Sequence, residues 1–176
     1  MRIIVIIAIL GLLFSCGGGS SSSKTDEAQG ENEAGIEAAA EEAASEAIAD
    51  TARLTIEGND LMQFNKDLLE VYEGQVVELT LEHVGEMSVE AMGHNWVLLT
   101  QGTDKSTFGN AAVSAKENGY IPTDMEDNII AYTKTIGGGE RTTIVFEAPA
   151  VGYYDFLCSF PGHYGVMQGT FTVMPR

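Results

Sequence analysis

From about residue 52 onward apolar residues recur at every second position, a period that restricts the chain to strands with one buried face. Val77, Leu79, Leu81 and His83 point one way, while Glu78, Thr80 and Glu82 point the other. His83 therefore reads as a partly buried core histidine. Trp96 to Leu99, Ile129 to Tyr132, Thr142 to Glu147, Tyr153 to Cys158 and Thr170 to Met174 are further short strands. Gly58-Asn59-Asp60, Glu73-Gly74, Gly137-Gly138-Gly139 and Gly152 punctuate them as turns. Gly137 to Gly139 lacks the following helix and the Lys-Ser/Thr pair of a phosphate loop, so it reads as a hairpin turn. Short strands with regular turns predict an all-β fold, a Greek-key β-sandwich of about eight antiparallel strands. Residues 103–128 break this rhythm around Gly109, Gly119 and Pro122, and predict a long excursion with one short helix at Ala111 to Glu117.

The N-terminal third follows different rules. Ile3 to Phe14 is an apolar run behind a single Arg2. It is shorter than the roughly 20 residues a membrane-spanning helix needs, and it suits the core of a signal peptide. Leu13-Phe14-Ser15-Cys16 resembles a bacterial lipobox, with Cys16 as the lipid attachment residue. Residues 17–30 are rich in Gly, Ser and charge and predict a disordered tether. Residues 36–49 hold helix formers without Gly or Pro, which allows a short spacer helix. The expected organisation is a signal peptide at 1–15, a lipid-anchored acidic linker at 16–51 and a folded domain at 52–176.

Charge narrows the partners. The chain carries 9 basic and 26 acidic residues, for a net charge of −17. Such a surface repels nucleic acid and anionic lipid, and favours solubility or a basic partner. There are two cysteines. With Cys16 acylated, Cys158 has no partner for a disulfide, and a lone cysteine in an exported protein is buried, reactive or metal-bound.

The segment around Cys158 decides between these readings. Cys158-Ser-Phe-Pro-Gly-His163-Tyr-Gly-Val-Met167 places a thiol, an imidazole and a thioether on one loop between two strands, with Pro161-Gly162 as the turn. Sulfur and nitrogen donors favour a soft or borderline metal, whereas Mg²⁺ or Ca²⁺ would want oxygen. His94, in Met92-Gly93-His94-Asn95-Trp96, is the best further donor, and it needs a fold that returns the chain. Two imidazoles and a thiolate with a weak axial thioether are the arrangement of blue copper, one ion per chain, cycling between Cu(II) and Cu(I). A thiol enzyme with Cys158 as nucleophile would leave Met167 without a task. A copper-storage or delivery protein, or a structural metal site, is the remaining alternative, although zinc disfavours thioether.

Several separate blocks strengthen the copper reading. Gly58-Asn59-Asp60 with Met62 to Asn65, Met92 to Leu98, Ala131 to Lys134, Ile136-Gly137, Gly139-Glu140 and the loop from Cys158 to Met167 occur in the order found in azurins, and residues 53–175 resemble that family. The resemblance implies a cupredoxin fold and an electron carrier rather than an enzyme. It implies that His94, Cys158 and His163 hold copper, that Met167 is a distant axial ligand and that the Gly93 carbonyl approaches from the opposite side. Asn95 would tie the two ligand loops together just behind the ligands, where Phe160 also stands, and Trp96 would fill the core. Electrons would pass through an apolar patch of Met62, Met92, Phe160, Pro161 and Gly165 around His163. The excursion at 103–128 corresponds to the family's helical flap. Expected partners are c-type cytochromes or copper or haem reductases, met by a monomer held to a membrane by its lipid. Its expected location is the cell envelope, facing the periplasm or exterior, with the outer membrane favoured. Azurins carry a disulfide near the start of the domain; here the stretches around Ala52 and Gly74 contain no cysteine, so the core or the metal must compensate.

Overall fold

The computed structural model describes residues 48–176. The signal peptide, Cys16, the tether at 17–30 and residues 36–47 of the spacer helix lie outside the described residues. Ile48 and Ala49 are not helical.

The alternating segments form nine strands among the described residues: β1 (Thr51–Asn59), β2 (Gln63–Phe64), β3 (Leu68–Tyr72), β4 (Val76–His83), β5 (Val97–Leu99), β6 (Ile129–Tyr132), β7 (Arg141–Glu147), β8 (Gly152–Leu157) and β9 (Gln168–Met174). One sheet has the order β2-β1-β4-β7 and the other β3-β9-β8-β5-β6. The expectation of a purely antiparallel sandwich needs correction. β1 pairs in parallel with β4, and β3 with β9. The reason is connectivity: after β2 the chain crosses to the second sheet for β3, then returns to the first in its original direction. A crossing of this kind is what parallel pairing requires.

Period two does its expected work in β4, where Val77, Leu79, Leu81 and His83 are buried and the intervening residues are not. Ile56, Leu79 and Leu81 from one sheet meet Leu98, Phe156, Phe171 and Val173 from the other, with Trp96 from just before β5, in a single core. Each such side chain contributes about 1.5–3 kcal/mol by leaving water. Trp96 is fully buried, with its ring centroid 5.7 Å from that of Phe156 and 5.9 Å from that of Phe146.

Two α-helices lie in the connections, α1 (Val89–Met92) and α2 (Lys105–Val113). The flap helix thus starts earlier than the sequence reading placed it. Asp104 caps it, its carboxylate accepting the Thr107 N–H at 2.7 Å, and one unmade helix-end donor is satisfied. Phe108 packs the helix against Val97, Leu99, Ile121 and Leu157, and Ala112 is buried as well. Two 3₁₀ turns, Lys116–Asn118 and Thr123–Asn128, complete the excursion.

Candidate metal centre

At one end of the sandwich, donors from distant parts of the chain converge. His94 follows α1, and its backbone is fastened to Ile136 by two hydrogen bonds of 2.9 and 2.8 Å. Cys158 comes directly after β8. Its N–H donates to the Met167 carbonyl at 2.9 Å, closing the neck of the loop that holds His163. Inside the loop the His163 N–H donates to the Phe160 carbonyl at 3.0 Å and the Met167 N–H to the His163 carbonyl at 2.8 Å. Gly162 turns the chain at φ 83°, in the left-handed region that glycine enters without strain.

One ring nitrogen from each of His94 and His163 and the Cys158 Sγ all lie within 4.8 Å of one another. The His163 Nδ1 is 3.6 Å from the sulfur, and the Gly93 carbonyl oxygen is 4.0 Å from it. All three side chains are buried. Met167 is fully buried against Cys158 and Phe160. β1 closes the site from another side. A methyl group at Gly58 would stand 2.7 Å from His94 Cδ2 and 3.3 Å from Met167 Cε, so only a bare backbone fits there.

Hydrogen bonding fixes the tautomer of His94. Its Nε2 donates to the Asn59 carbonyl at 2.9 Å, a group that can only accept. Nδ1 therefore carries a lone pair, and it is buried with no partner. A polar atom left this way costs about 1–3 kcal/mol, and a metal ion would satisfy it. Burial lowers the pKa of His94, and it lowers that of His163 to about 4. Both imidazoles are therefore neutral and ready to donate at pH 7. Burial pushes the Cys158 thiol up to about 12, and the N–H groups of Asn95 and Phe160 directed at the sulfur offset part of that rise. Those same N–H groups would support a thiolate once a metal replaces the proton.

Supporting contacts sit behind the donors. Asn95 and Ser159 exchange two hydrogen bonds. His83 is 2% exposed, and its ring stacks on His94 at 4.3 Å and 16°. It donates through Nε2 to the Met92 carbonyl at 2.8 Å and accepts the Gly85 N–H at Nδ1. The alternation of β4 found its burial; its stacking on His94 depends on β4 meeting the segment that follows α1 and left no mark in the sequence.

The residues expected to form the apolar patch differ in exposure. Met62 is 37% exposed, Met92 and Pro161 are half-buried and Gly165 is exposed, while Phe160 turns mostly inward. Leu61 and Val166, next to Met62 and Gly165 along the chain, are also apolar and are 73% and 63% exposed. Sequence reasoning missed both, although each is a bulky apolar residue on a turn, outside any alternating run.

Residues 50–174 match the copper-binding protein family of plastocyanin and azurin. Azurin-1 of Alcaligenes xylosoxydans xylosoxydans is 36% identical over 118 residues, which is 65% of this chain and 91% of that protein. Azurin of Pseudomonas aeruginosa is 34% identical over 130 residues, 72% of this chain and 87% of the relative. Among solved structures, reduced auracyanin from Roseiflexus castenholzii aligns with a TM-score of 0.63 at 33% identity, over 73% of this chain and 99% of that one. Auracyanin A from Chloroflexus aurantiacus, described as a blue copper protein, aligns at 0.64 and 32%, over 70% and 99%. This chain belongs to the plastocyanin/azurin family of copper-binding proteins. Its sandwich is a cupredoxin fold, and the family together with the His-Cys-His cluster gives one copper per chain.

Proposed function

We propose that His94, Cys158 and His163 would hold the copper, that Met167 and the Gly93 carbonyl would be weak further donors to it, and that the domain passes single electrons through the apolar residues around His163. Family and site define an electron carrier, not an enzyme. The observation that carries the ligand reading is the bare, buried Nδ1 of His94 facing a cluster with a thiol and a second imidazole. Copper bound there supplies a one-electron couple between Cu(II) and Cu(I). The chain supplies rigidity: two sheets and the Asn95–Ser159 link hold donors that need move little when the charge changes. Neutral imidazoles and a water-excluding surround keep the donors available.

c-type cytochromes or copper or haem reductases fit as partners, since an apolar end on an acidic protein suits transient docking to a more basic surface. The domain works outside the cytoplasm, facing the periplasm or exterior. Cys16 would carry lipid, with the signal peptide at 1–15, the linker at 16–51 and the copper domain at 52–176, and the outer membrane is the favoured membrane. The lipobox-like run supports that anchor, and growth with labelled fatty acid tests it: label should appear on the protein and vanish from Cys16→Ala.

The function is tested on purified protein. Cu(II) should produce an intense blue colour from thiolate-to-copper charge transfer, with a reversible one-electron wave in voltammetry. Cys158→Ser should lose the colour and keep the fold. A colourless copper complex of the unaltered chain would overturn the proposal.

A further inference from the structure

Tyr164 follows His163 directly. It packs into the flap cluster of Val97, Leu99, Phe108, Ile121 and Leu157. There it meets α2 at Gly109. A Cβ placed on Gly109 would stand 2.3 Å from Tyr164 Cδ1, 2.4 Å from Cγ and 2.8 Å from Cε1. Real Cβ atoms do not come so close, and the atoms struck belong to the root and edge of a rigid ring, so the ring cannot swing a flexible tip aside. The Tyr164 hydroxyl reaches Asn110 Oδ1 at 3.3 Å, a long bond that adds little to the packing.

Glycine inside a helix is otherwise unfavourable compared with alanine. Gly109 is buried in the middle of a nine-residue helix, with no turn to make and an ordinary negative φ. Its missing side chain thus makes a notch in the helix surface, and Tyr164 fills it. Because the His163 carbonyl accepts from both Val166 and Met167, at 2.9 and 2.8 Å, the backbone on either side of Tyr164 belongs to one tight turn. A displacement of the ring moves that turn.

We infer that Tyr164, seated in the Gly109 notch of α2, is a positioning residue that fixes His163 and the Cys158–Met167 loop, making the flap part of the metal site's support. The inference deepens the electron-carrier reading and rests on it for its meaning, yet it can be tested without metal.

The readout is the reaction of Cys158 with a thiol reagent in the metal-free full chain, with the Cys16→Ala background removing the other thiol. Cys158 is fully buried, so it reacts only when the loop opens. Gly109→Ala and Tyr164→Ala should each accelerate the reaction tenfold or more, and Tyr164→Phe should match the parent. In the double variant the two accelerations should not multiply, because the alanine at 109 has no ring to strike. After copper loading, Gly109→Ala should also change the EPR hyperfine splitting, and Tyr164→Phe should not. Pure helix propensity predicts the reverse sign: Gly109→Ala would tighten the flap and slow the reaction. That result, or multiplying effects in the double variant, would overturn the inference. Should Gly109→Ala fail to fold, the contrast between Tyr164→Ala and Tyr164→Phe decides alone. A colourless copper complex with the expected thiol kinetics would remove the functional reading and leave this one standing.

Discussion

Asn95 donates from Nδ2 to the Ser159 hydroxyl at 2.8 Å and accepts the Ser159 N–H on Oδ1 at 2.8 Å, so one fully buried amide joins the residue after His94 to the residue after Cys158. The Ser159 hydroxyl passes the connection on to the Tyr120 carbonyl at 2.7 Å. Asn95→Leu keeps the volume and strands the Ser159 N–H, while the Ser159 hydroxyl keeps its bond to Tyr120, at about 1–3 kcal/mol for the buried group left unpaired. Denaturant unfolding of the metal-free protein should register a loss in that range. Copper release to a chelator should also accelerate; unchanged release would confine Asn95 to stability.

Met167 can be exchanged for a side chain of similar bulk. Met167→Leu should cost less than about 1.5 kcal/mol in packing. It removes a weak donor that favours the higher oxidation state, so the reduction potential should rise while the blue colour persists. Voltammetry checks this, and an unmoved potential would exclude Met167 as an axial neighbour.

The metal-free domain should be most stable between about pH 7 and 9, by the ordinary ranges of its site residues. His163 is lowered to about 4, so the unfolded chain takes up that proton first. Stability is therefore full above the ordinary histidine range and falls as pH drops towards 4; His94 acts in the same direction. Cys158 is raised to about 12, so its contribution is full below the ordinary thiol value and is lost as pH climbs from there through 12. Urea midpoints at acid, neutral and alkaline pH should trace this dome, and a flat profile would contradict it. At pH 7.5 copper binding should release about one proton, from Cys158, since both imidazoles are already neutral; calorimetry in two buffers measures it.

Gln75 stands in the stretch around Gly74, which contains no cysteine. Its side chain is 5% exposed, donates to the Ala49 carbonyl at 2.6 Å and accepts the Tyr72 N–H at 2.7 Å, fastening the entry of β1 to the β3–β4 turn. Arg176 adds an ion pair to Asp50. Cys158 is the sole free cysteine among the described residues, so this clamp is non-covalent. Gln75→Ala should lower the melting temperature by several degrees, for a loss of about 1–3 kcal/mol, without changing the copper spectrum.

What could be read from the sequence followed from local rules. Alternation located β4 and the buried side of His83, and the spacing from Cys158 to Met167 located the loop, because both patterns depend on neighbours along the chain. The start of α2 escaped because Gly109 lies inside it and looks like a break; its reason is Tyr164, 55 positions away. The parallel pairs escaped because strand direction depends on which sheet an intervening segment joins. Leu61 and Val166 escaped because an apolar residue on a turn matches no period.

β1 starts beside Gln75 and ends with the Asn59 carbonyl that holds the His94 ring. Its nine residues separate those two points by about 26 Å at the usual strand rise. A single strand thus runs from the Gln75 clamp to the His94 ring, so slack at its first residue reaches the donors only along its whole length.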